Sequence, residues 1–233
     1  MKLSEVRLHD WMFDHTSDDF VPNAIQSITH SPLNHVKSVC EIIEPTPDGI
    51  FLCEAVAEGF VKRSLRNSTG EKDKYTIVSR YHADGVGGQE LTPEQIKKMS
   101  EWDAYYLSRG LGYAFAQLVA LAFLKQVKND SFEGKFLGHK FEDIEKDIEV
   151  FYPSFICSEA AYRKASESGI AIGILKDSAH WTHYQGNDII QKYIQCGKDL
   201  LNPVIEDWIT PHDLYMSPDI IRMDELDYGW RTK

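Results

Sequence analysis

The chain has 233 residues, with 25 Lys and Arg against 36 Asp and Glu and a formal net charge of −11. Its 42% hydrophobic and 26% charged residues are ordinary globular proportions, so disorder is not expected and the length can bury a sizeable core. The acidic balance argues against a nucleic-acid partner, because phosphate binding rests on clustered Lys and Arg.

The amino-terminal stretch, Met1 to Asp10, is charged throughout and lacks the apolar centre of a signal peptide. A first strand is expected over Leu8–Phe13. Pro22 marks a helix start, and Ala24, Ile25 and Ile28 give that helix an apolar face. His35–Ile43 reads as a strand, Pro45-Thr46-Pro47-Asp48-Gly49 as a turn, and Ile50–Val56 as the returning strand of a hairpin. Two further strands are expected over Gly59–Leu65 and Tyr75–Tyr81, with a polar loop from Asn67 to Lys74 between them.

Asp84-Gly85-Val86-Gly87-Gly88 is a flexible turn, lacking both the Lys-Ser/Thr of a P-loop and G-x-G-x-x-G spacing. Thr92-Pro93-Glu94-Gln95 is a capping box that opens a helix towards Leu107. The most apolar stretch, Tyr105–Leu124, is interrupted by Arg109, Gly110, Gly112 and Gln117. A buried helix over Tyr113–Val127 is therefore expected, and no stable membrane insertion. Residues 128–150 are charged and read as a surface excursion. A helix over Phe155–Ser168 ends at Gly169, a typical C′ residue. A last helix near Asn187–Cys196 leads into a Pro-punctuated tail. Strands come mostly first and helices later, which predicts an α+β fold with an antiparallel sheet packed against helices.

Four cysteines (Cys40, Cys53, Cys157 and Cys196) lie far apart without a Cys-x-x-Cys pair. With no export signal they are expected to be reduced thiols of a cytoplasmic protein. Cys157 stands out because Pro153 and Ser154 precede it and a helix begins there. Unpaired N–H groups and the helix dipole in a first turn lower a thiol's pKa and can receive an oxyanion. On local sequence alone, a small buried hydrophobe is the simpler account of this cysteine. His35, at a strand start, is a candidate general base or a surface residue. Glu54 interrupts the apolar run Phe51-Leu52-Cys53-Glu54-Ala55-Val56, so it is either solvated on a strand face or partnered, an imidazole being one suitable partner. His180-Trp181-Thr182-His183 with Asp188 lacks the second ligand pair of a structural zinc site, and no Gly-x-Ser-x-Gly elbow is present. Tyr81 and His82 could line a site at a strand end.

Together, Asn34-His35-Val36, Leu52-Cys53-Glu54-Ala55 and Phe155-Ile156-Cys157-Ser158-Glu159 resemble the permuted papain-like amidases, the YiiX/YaeF-like branch of the NlpC-type cysteine peptidase superfamily. Leu8-His9-Asp10-Trp11 resembles that family's first strand, with His9 in place of Gly. Gly110-Leu111-Gly112-Tyr113-Ala114-Phe115 and Thr210-Pro211-His212-Asp213-Leu214…Ser217-Pro218 resemble two of its later motifs. Asn34 stands where the family usually has Ser, and Ala114 replaces an acid.

The resemblance spans about Leu8 to Pro218. It implies one domain over residues 1–233 with a papain-like core in circularly permuted order, enlarged by an insertion over about 67–150. It also implies a cysteine hydrolase in which Cys157 is the nucleophile, His35 the base and Glu54 the orienting residue, with no metal or cofactor. A small peptide, a cell-wall peptide or a lipid ester is the implied substrate. A lipid acyltransferase or thioesterase, and a binding protein that keeps the fold without catalysis, are the alternatives.

Overall fold

The computed structural model describes residues 1–16, 26, 31–69, 73–82, 88–113, 154–173 and 209–229. Eight strands run as β1 (Trp11–Thr16), β2 (His35–Ile42), β3 (Ile50–Val56), β4 (Gly59–Ser64), β5 (Asp73–Tyr81), β6 (Gly112–Tyr113), β7 (Ser154–Phe155) and β8 (Ile220–Glu225). The α-helices are α1 (Leu65–Ser68), α2 (Pro93–Arg109), α3 (Cys157–Glu167) and α4 (Pro211–Tyr215). Six strands form one antiparallel sheet in the order β4-β3-β2-β1-β5-β8, and β6 and β7 form a short parallel pair. The fold is α+β.

The β2–β3 hairpin, β4, β5 and α2 form close to where the residue pattern predicts them. Helix α2 carries the expected capping box: the Thr92 hydroxyl accepts from the Gln95 N–H, and Gln95 accepts from the Thr92 N–H. It ends at Gly110, whose φ of 61° is left-handed.

Other boundaries moved for local reasons. The first strand starts at Trp11, because His9 sits at φ 64° and Asp10 closes a turn by accepting from the Arg7 N–H. Leu65 begins α1 instead of ending β4, with Ser64 as its N-cap. Helix α3 begins at Cys157, since Ser154 and Phe155 pair with Gly112 and Tyr113 as strands and Ile156 is still extended. Strand β8 falls in the tail, where no strand was expected. Only Ile220 of it is buried, so the inward–outward alternation that marks a strand is missing. Strand β5 comes from within the stretch 67–150 and is an interior strand between β1 and β8. The helix expected over 23–29 lies outside the described residues apart from Gln26. Residues 84–87, 114–150, the His180–Asp188 stretch and the helix over 187–196 lie outside them entirely.

The sheet buries both faces. Met12, Val39, Leu52 and Val78 pack on one side with Leu65 and Leu226. Trp11, Phe13 and Val36 point to the other side, where α3 lies with Cys157, Ala161 and Ala165. Alanines on the inner side of α3 let its axis come close to β2 and β3, which sets Cys157 against the start of β2.

One buried cation braces this packing. Lys164 of α3 is 1% exposed and donates to Asp103 of α2 at 2.5 Å and to Ser38 of β2 at 2.9 Å. Three elements are thereby tied at one point behind the Cys157 helix.

Candidate active site

Cys157 occupies the first position of α3. The first intrahelical backbone bond runs from the Ala160 N–H to the Ile156 carbonyl, so the N–H groups of the first turn, from Cys157 on, are not taken up by the helix's own carbonyl ladder. Ile156 offers no side-chain cap. Ser158 anchors the turn by donating to the Ile209 carbonyl at 2.6 Å. Glu159 is buried and pairs with Arg163 at 2.8 Å.

His35 opens β2, opposite Asp14 of β1, and the Asn34 N–H donates to the Asp14 carbonyl at 3.0 Å. The hairpin turn then brings β3 back alongside, with Ser38 paired to Cys53. Glu54, the next residue, is 3% exposed, and its Oε2 lies 3.0 Å from His35 Nε2. The His35 ring is also hydrogen-bonded to the Cys157 thiol. With Nε2 engaged by the carboxylate, Nδ1 is the nitrogen left for the sulfur. The three residues singled out in the sequence thus form one chain of contacts, carboxylate to imidazole to thiol.

The electrostatics of the chain are cooperative. Burial works against a charged His35 ring, but the Cys157 thiolate and the Glu54 carboxylate outweigh it and raise the ring to about 10. Burial alone would push the Cys157 thiol up. The charged ring, its hydrogen bond and the backbone N–H groups of Val36 and Ser158 together hold it below the ordinary value. Burial likewise opposes a charged Glu54, yet the His35 hydrogen bond, the Lys37 cation and Ser68 bring it down to about 2. Each charge in the chain therefore favours the next: the Glu54 carboxylate favours a charged His35 ring, and the charged ring favours the Cys157 thiolate.

Cys53 has the opposite character. Contact with Cys40, burial and the charge of Asp103 push the Cys53 thiol well up. Tyr81 and His82 do not join the site: β1 and β5 are antiparallel, with Trp11 opposite Ser79 and Asp14 opposite Thr76, so they lie at the far end of the sheet from His35. Lys37 and Asp14 were missed in the sequence, although a Lys between Val36 and Val39 on a core strand was the available signal. Among the described residues no three His, Cys, Asp or Glu side chains are grouped as metal ligands would be.

No protein-family model matches the chain, and no curated protein matches it in sequence. A solved structure does match in fold: the metalloprotein yiiX from Escherichia coli O157:H7 (DUF1105), at 17% identity and a TM-score of 0.50. The match covers 94% of this chain and 97% of that one. Among the described residues no helix is long and apolar enough to cross a membrane.

Proposed function

We propose that this chain is a cysteine hydrolase of the permuted papain-like kind, which opens an amide or ester bond through an acyl-enzyme on Cys157. One observation carries the reading: His35 lies between a carboxylate at 3.0 Å and a thiol at the uncapped start of an 11-residue helix. A buried structural cysteine needs neither a base beside it nor a depressed pKa.

In the proposed reaction the Cys157 thiolate attacks the substrate carbonyl carbon, and the carbonyl electron pair moves onto oxygen. The N–H of Cys157, at the first position of α3, would receive that oxyanion. His35 gives its Nδ1 proton to the departing nitrogen or oxygen, leaving a thioester on Cys157. The ring then takes a proton from water, whose oxygen attacks the thioester. The acid leaves, and the thiolate–imidazolium pair is restored. Glu54 holds the ring in place and balances its charge throughout.

The yiiX neighbour is described as a metalloprotein. The described residues of this chain offer no grouped ligand set, so no step is routed through a metal. The fold match supports the YiiX-like α+β fold, and the permuted core rests on the motif resemblance, in which the His precedes the Cys.

The test is a substrate panel of γ-glutamyl peptides, muropeptides and acyl-lipid vesicles, assayed with wild type and Cys157→Ala. Wild type should turn over one class, and Cys157→Ala should lose about 10³-fold or more of that activity. Acyl transfer to lipid without net hydrolysis would favour a transferase. Activity that survives in Cys157→Ala would overturn the assignment.

A further inference from the structure

Behind the carboxylate sits a second charge that the reaction does not touch. Lys37 lies two residues beyond His35 on β2, and its side chain is 0% exposed. Its ammonium lies 2.6 Å from Asp14 Oδ2 and donates to the Ser68 carbonyl at 3.4 Å. Ser38 pairs with Cys53, so Lys37 and Glu54 are the next residues along the two adjacent strands. A Lys without an anionic partner is almost never found fully buried, because desolvating the ammonium is expensive. Asp14 supplies that partner and is itself held by the Thr76 hydroxyl, which also contacts Tyr228.

Glu54 is thus faced by His35 and Lys37 from β2 and by Ser68 from α1, with Asp14 of β1 beyond Lys37 and Cys157 of α3 beyond His35. Without a cation on its far side, Glu54 would be a buried carboxylate held only by the His35 ring and Ser68, and burial would then favour its protonated form as pH falls.

We propose that Lys37 is a positioning residue for the His35–Cys157 pair: its buried cation, clamped by Asp14, keeps Glu54 charged and directed at the imidazole. The role rests on the hydrolase reading of Cys157. A protonated Glu54 would no longer hold the charged ring, and the ring would no longer hold the thiolate. Lys37 therefore sets the acid limit of the site.

The test follows two titrations that need no substrate: the side-chain carboxyl ¹³C signal of Glu54, and the rate of Cys157 alkylation by iodoacetamide from pH 3 to 9. In Lys37→Met both acid midpoints should rise by about one unit or more, which makes alkylation about tenfold slower on the acid limb. In Asp14→Asn, Lys37 faces Glu54 without a competitor, so neither midpoint should rise. The double variant Lys37→Met/Asp14→Asn strands no buried charge and should behave like Lys37→Met, which keeps the test available if the single variant does not fold. A Lys37→Met profile lying on the wild-type one, or an equal rise in Asp14→Asn, would overturn the positioning role. An ordinary thiol profile in the wild type would instead sink the hydrolase reading.

Discussion

Replacing Glu54 by Gln keeps the side chain's size and an oxygen that can accept from His35 Nε2, and removes only the charge. The His35 ring stands at about 10 against an ordinary 6.5, a net preference for the charged ring of about 5 kcal/mol. The Cys157 thiolate supplies the larger part and Glu54 the next. A carboxylate about 4 Å from a cation is worth about 4 kcal/mol at an effective dielectric of 20. His35 is 19% exposed, so solvent screens some of that. An adjacent opposite charge typically moves a pKa by about 1–3 units. Titration of the His35 ring by ¹⁵N NMR in Glu54→Gln should therefore show its midpoint fall from about 10 to between about 7 and 9. The thiolate absorbance of Cys157 at neutral pH should fall with it.

The same substitution has a stability signature of opposite pH sense. Glu54 is held at about 2, below its ordinary 4.5, so it stabilises the fold above about pH 4.5 and loses that contribution as pH falls through about 2. The span is about 3 kcal/mol, and urea melts between pH 5 and 2 should lose it in wild type but not in Glu54→Gln. His35, with a raised midpoint, stabilises below about 6.5 and loses this as pH rises through about 10. A His35 midpoint in Glu54→Gln within a few tenths of the wild-type value would refute the coupling.

Two further outcomes test the scaffold. Lys164→Met strands Asp103 as a buried, unpaired carboxylate and should cost about 3–5 kcal/mol in urea denaturation, whereas Lys164→Met/Asp103→Leu should regain most of it. Equal losses in both would show that packing, not charge, is what the pair supplies. Gly59 has a φ of 115°, and a Cβ there would come within 2.2 Å of the Leu111 carbonyl oxygen where β4 meets the chain before β6. Gly59→Ala should therefore cost about 2 kcal/mol or more and lower Tm by about 4–8 °C, while an unchanged Tm would mean the backbone yields freely there.

Much of this was legible in the residues because its causes are short-range. Extended, apolar-rich runs on either side of the Pro45–Gly49 turn specify the β2–β3 hairpin. The Thr92–Gln95 box and Gly110 bracket α2 within its own sequence. Thr210 and Asp213 do the same for the short α4, which gives that motif a local reason: each caps the other. His35, Glu54 and Cys157 were recognisable only as a set, since each alone has an unremarkable explanation.

Tertiary structure decided what depends on partners far along the chain. Strand β8 forms because β5 offers it a backbone edge, and its exposed side chains carry no alternation that would reveal this. The depressed Cys157 thiol depends on β2 and α3 meeting end to end, which no local pattern encodes. Lys37 and Lys164 carry the same lesson in charge. A lysine's own chemistry sends it to solvent, and it can be buried only where Asp14 or Asp103 already waits in the packed structure. The residue types with their local turns and caps are properties of the sequence. The pairing that lowers one cysteine's pKa against its burial, and that lets a lysine lie buried behind the site, comes from long-range packing, because such partners meet only once the chain has closed on itself.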